Sequence, residues 1–98
     1  RSTSSLRYKT NITPITSGLA EILKLKPICF NDKNQPAGWT HFGFLAEDVA
    51  LVMDNLVGYE MVDGVKKPGW IEYDYLTAPL VKAVQELHAR VVVLESRP

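Results

Sequence analysis

The last quarter of the chain leaves few options. Leu80, Leu87 and Leu94 lie seven residues apart, and Thr77, Val84 and Val91 fall between them in alternating steps of three and four. This spacing puts all six side chains on one stripe of an α-helix, with valine at the first and leucine at the fourth heptad position. A helix is therefore predicted over residues 74–97, with Pro79 in or near its first turn, where the missing N–H costs little. Val92 and Val93 widen the stripe beyond a two-position seam. The stripe must be covered, either by the body of its own domain or by the same helix from other copies. Valine at a with leucine at d leans toward two strands in model peptides, so the heptads alone do not select three.

Shorter elements precede this helix. Leu19, Ile22 and Leu23 recur at helical spacing behind Thr16 and Ser17, with Glu21 placed as in a capping box, which predicts a short helix over residues 16–24. Pro27 stops it, and Ile28-Cys29-Phe30 reads as a strand closed by the turn-forming run Asn31-Asp32-Lys33-Asn34. Residues 39–45 alternate as a strand, with Gly43 permitting a close approach, and run into a helix from Ala46 to Met53 that Asn55-Leu56-Val57-Gly58 closes. Asp63-Gly64 between two alternating runs marks a hairpin. A further strand, Trp70-Ile71-Glu72-Tyr73, follows Pro68-Gly69. The fold class expected is α+β, a small mixed domain of short strands and short helices with a long C-terminal helix that forms a trimeric bundle or docks on its own body. It is organised as one domain over residues 1–98: a leading segment (1–14), a core (15–73) and the helix (74–98).

Composition narrows the function. Eleven basic and eleven acidic side chains give no net charge, so nothing argues for nucleic acid or a membrane surface as partner. No apolar run approaches the length of a membrane span. The single cysteine, Cys29, has no internal disulfide partner, and two histidines scattered along the chain offer no metal site, so neither metal nor cofactor is expected. Ninety-eight residues make one domain, small enough that association would help to stabilise it.

The leading segment Ser4-Ser5-Leu6-Arg7-Tyr8-Lys9-Thr10-Asn11-Ile12 carries the chemistry. A hydroxyl and a desolvated, neutral amine form a nucleophile and base pair. Spacing alone describes a solvated loop equally well. On a helix Ser4 and Lys9 would stand about 140° apart, and on a strand they would face opposite ways. They meet only if the backbone bends between them, or across chains.

The order of features is more specific than any one of them: Ser4-x4-Lys9 with Asn11-Ile12 behind it, Leu23-x-Leu25-Lys26-Pro27-Ile28-x-Phe30, His41-Phe42-Gly43-Phe44-Leu45-Ala46-Glu47-Asp48-Val49, Trp70-Ile71-Glu72-Tyr73-x2-Leu76, and Leu80-Val81-Lys82-Ala83-Val84-Gln85-Glu86-Leu87. Together they resemble the C-terminal intramolecular chaperone domain of phage tail spikes and tail fibres, the self-cleaving S74 peptidases typified by endosialidase tail spikes. The resemblance implies a homotrimer whose partner is the upstream stalk of its own polypeptide. It also implies work in the infected bacterial cytoplasm during virion assembly, and release by autoproteolysis between Thr3 and Ser4. Ser4 falls on the nucleophile and Lys9 on the base. Aspartate commonly follows the nucleophile in the family; Ser5 stands there instead, which leaves Ser4 and Ser5 both open as nucleophile, with the spacing to Lys9 favouring Ser4. Asn11 and His41 are possible supporting residues, set against a turn role for Asn11 and a packing role for His41. Arg7 is a candidate neighbouring cation for Lys9, against a solvated surface charge. The rival readings are a trimerisation or attachment module that is never cut, the family's eukaryotic branch on membrane-bound transcription factors, and a monomer whose helix covers its own sheet.

Overall fold

The computed structural model describes residues 4–98. In chain order they form α1 (Leu19–Ile22), β1 (Ile28–Asn31), β2 (Thr40–Gly43), α2 (Ala46–Val52), β3 (Val57–Val62), β4 (Val65–Ile71) and α3 (Thr77–Glu95). Single 3-10 turns lie at Leu6–Tyr8, Asp54–Leu56 and Tyr73–Leu76. The class is α+β, with the strands in two separate antiparallel hairpins, β1 with β2 and β3 with β4.

The Asp63-Gly64 turn sets the second hairpin. Both residues take positive φ, 51° and 77°, as a two-residue turn joining twisted strands requires. Val62 pairs with Val65 across it. The strand expected separately at Trp70 is the end of this same β4. Gly58 pairs with Trp70 and Tyr59 with Pro68, which leaves Gly69 unpaired as a bulge. Pro68 lacks an N–H and is tolerated because a two-stranded sheet gives β4 a free edge. The strand stops at Ile71, not Tyr73, because Glu72 N–H turns aside to donate to the Leu56 carbonyl at 2.7 Å. Likewise Val57 and Gly58 do not close α2; they open β3.

Val49 of α2, Met53 and Leu56 after it, Val57 of β3 and Leu76 before α3 form one buried cluster, with Phe44, Tyr59 and Ile71 packed at its edge. This core is small for the chain. The radius of gyration is 17.5 Å, against about 13 Å for a compact chain of this length. The accessible surface is 8187 Å², against roughly 5600 Å² for a compact 11.0 kDa monomer.

Much of the excess lies on α3. The expected start at Asp74 becomes a 3-10 turn, and the α-helix proper begins at Thr77, which puts Pro79 in its first turn. Pro79 and Ala83 are buried where α1 and its neighbours lie against the helix, whereas Leu80, Val84, Leu87, Val91 and Leu94 remain between 42% and 66% exposed. The heptad stripe therefore does not cover the domain's own sheet. From His88 onward every residue of α3 is exposed.

Candidate active site

The backbone bends between Ser4 and Lys9. Tyr8 N–H donates to the Ser5 carbonyl at 3.0 Å and Lys9 N–H to the Leu6 carbonyl at 3.1 Å, closing a 3-10 turn with Ser5 and Lys9 extended at its two ends. Ser5 caps this turn. Its Oγ accepts from Arg7 N–H at 3.4 Å and from the Arg7 guanidinium at 3.2 Å. The same guanidinium lies over the Tyr8 ring, 4.7 Å from its centre. Arg7 is thus engaged with its own turn, and the Ser5 hydroxyl is occupied as an acceptor. Among the described residues Ser4 makes no such capping bond.

Ser4 and Lys9 are both exposed, and among the described residues no hydrogen bond joins them. Thr3, on the acyl side of the expected scissile bond, lies outside the described residues. Asn11 adopts φ 51°, the left-handed conformation that asparagine tolerates in turns. His41 belongs to the first hairpin. Its ring stacks on Phe30 at 5.4 Å, and its Nε2 faces Gln35 Oε1 at 2.5 Å. Gly43 makes the close approach its type suggested: a Cβ there would stand 2.5 Å from the Tyr73 hydroxyl, which accepts the Phe44 N–H at 3.3 Å.

Beyond the turn the chain is fastened to α3. The helix expected over residues 16–24 is a single turn, Leu19–Ile22, whose first residue follows Gly18 and not a hydroxyl side chain. Glu21 Oε1 accepts the Gly18 N–H at 2.8 Å, the local half of a capping box. A second donor of the helix start is taken by Glu86 of α3, whose Oε1 accepts Leu19 N–H at 3.2 Å and the Lys82 ammonium at 2.8 Å. The Lys82 bond, and after it the Leu19 N–H, hold the Glu86 carboxyl below its ordinary value of 4.5, against a smaller opposing effect of burial. Sequence reasoning missed Gly18 and Glu86. A glycine three residues ahead of Glu21 signals a helix start that lacks a capping side chain, and nothing along the chain names Glu86 as an acceptor.

The leading hydroxyl and amine segment, the small α+β core and the long helix follow one another in the order that the sequence led us to expect of an intramolecular chaperone domain. The match to known proteins is in accord: residues 4–58 fit the model of the peptidase S74 family, described as the chaperone of endosialidase. The chain belongs to this family, a peptidase-related autoprotease family, and is an intramolecular chaperone domain in that general sense. Ser4, Lys9, Asn11 and His41 lie inside the matched span. No curated protein matches the chain.

Proposed function

We propose that this domain trimerises through α3, holds three upstream chains of a phage tail fibre or spike in register while they fold, and is then released by cleavage between Thr3 and Ser4. Its place of work is the infected bacterial cytoplasm. The observation that carries this reading is the uncovered heptad stripe of α3, exposed while the helix's other face is already occupied by Leu19 and its neighbours. A chain with a small core and about 2600 Å² of surface beyond that of a compact monomer gains most by association. Register matters because a long β-stalk with repetitive pairings slips easily, and tethering three chains raises their local concentration.

The chemistry follows from the leading turn. Lys9, once neutral, takes the proton of the Ser4 hydroxyl as Oγ attacks the Thr3 carbonyl. The Thr3–Ser4 C–N bond breaks, the proton passes to the departing Ser4 amine, and an ester links Thr3 to Ser4 Oγ. One water then hydrolyses the ester, leaving a Thr3 carboxylate and a free Ser4 amino terminus. In the single chain solvent reaches Lys9, so neighbouring chains must exclude it, and cutting then waits for assembly. The same exposure of Ser4 and Lys9 favours a second reading, a trimerisation module that is never cut. Ser4→Ala in the full-length precursor separates the two. The proposal expects the precursor to stay whole on a denaturing gel, and a fragment pattern identical to wild type refutes it.

A further inference from the structure

The Glu86 contact links the cleavage segment to the helix proposed to assemble. Leu19 N–H is one of the orphan donors of a helix start. A carboxylate 67 positions further along the chain accepts it. Glycine is what lets the carboxylate reach the backbone: a Cβ on Gly18 would overlap Glu86 Oε1 and come within 3.1 Å of the Lys82 methylenes. Pro79, Lys82, Ala83 and Glu86 share a face roughly a third of a turn from the heptad stripe, so the contact survives when the stripe is covered. Just upstream, Pro14 and Ile15 border a shallow groove whose other wall is Ala78, Val81, Lys82 and Gln85. The chain leaving Lys9 thus meets α3 within a few residues.

We infer that Glu86 is a positioning residue for self-cleavage: by fastening the backbone at Leu19 to α3, it fixes where the segment bearing Ser4 and Lys9 emerges relative to the neighbouring helices of the bundle. The inference rests on the autoproteolytic reading above. A dyad that forms only when chains come together needs its segment anchored to the element that brings them together, because a misplacement of about 1 Å costs up to a hundredfold in rate. Release of Leu19 would let the segment swing while the bundle stayed intact.

The test follows cleavage of the full-length precursor on a denaturing gel, with sedimentation of each variant alongside. Glu86→Ala removes the acceptor, and Gly18→Ala displaces it while leaving the carboxylate in the molecule. Both should slow cutting by about ten- to a hundredfold with the trimer unchanged. Glu86→Gln keeps an amide oxygen that accepts the same Leu19 bond and should cut within about threefold of wild type. Wild-type cutting by Glu86→Ala overturns the inference. So does Glu86→Gln falling as far as Glu86→Ala, and so does loss of the trimer in Glu86→Ala, which would make the role one of assembly. A wild-type precursor that never cuts removes the autoproteolytic reading itself and is read from its own lane.

Discussion

If α3 assembles as proposed, Leu87→Asp should abolish the trimer and leave the single chain folded. Leu87 sits mid-helix and is 51% exposed in one chain. Covering that half in a bundle is worth about 1 kcal/mol per chain, from the roughly 1.5–3 kcal/mol of a fully buried leucine. Three copies lose about 3 kcal/mol per assembly, more than a hundredfold in the assembly constant. Each aspartate also brings a carboxylate into the seam at a penalty of several kcal/mol, so assembly should fail at any practical concentration. The monomer loses the helix-propensity difference, about 0.5 kcal/mol, and about 1 kcal/mol for the half of Leu87 already covered, and stays folded because the buried cluster of Val49, Met53, Leu56, Val57 and Leu76 does not include Leu87. Sedimentation over a concentration series, with circular dichroism at the helical minimum, reads both outcomes. A stable Leu87→Asp trimer would show that the stripe is not the seam, and an unfolded monomer would show that Leu87 supports its own domain.

Three further outcomes test the fold. Leu56, at 2% exposure, fills the core, and Leu56→Ala should cost about 3–4 kcal/mol in urea unfolding of the monomeric form; a loss under about 1 kcal/mol would mean that the core lies elsewhere. Gly58→Ala would drive a Cβ into the Trp70 ring and should cost about 1–3 kcal/mol, with a change in tryptophan fluorescence as the ring is displaced. The hydrogen bond to Asp54, with burial and the Asp54 charge adding, raises the Tyr59 phenol above its ordinary 10.0. The folded phenol holds its proton more tightly than the unfolded one, so this contribution is complete below pH 10.0 and is lost as pH rises through the raised value. The melting advantage of wild type over Tyr59→Phe should shrink above pH 10.0, and a constant difference would refute the assignment.

What the sequence made legible was periodic or local. The a and d leucines and valines gave α3, and Asp63-Gly64 gave the hairpin turn with both positive φ angles. The readings that failed depended on partners distant in the chain. Pro68-Gly69 reads as a break before Trp70, yet Pro68 pairs with Tyr59 and the bulge absorbs Gly69, so the strand runs through. Thr16 and Ser17 offer hydroxyl caps that predict a helix over residues 16–24, whereas the helix is the single turn Leu19–Ile22, whose Leu19 N–H is accepted by Glu86. In the candidate site, the order of motifs marked Ser4 and Lys9, and local geometry then engaged Ser5 with Arg7 and His41 with Phe30 and Gln35. No pattern along the chain reveals a carboxylate borrowed from a helix that follows much later.

The bulged strand β4 has a consequence for the company this domain keeps. Its free edge runs through Lys66, Lys67 and Pro68 and is broken at Gly69. On the proposed function the domain works beside unfinished stalk chains whose strands have unpaired backbone, and any flat, apolar edge there would be recruited into the growing sheet. Two cations, a residue without an N–H and a kink make β4 a poor template. A helper that works among chains hungry for strand partners can thereby stay beside the product without being knitted into it.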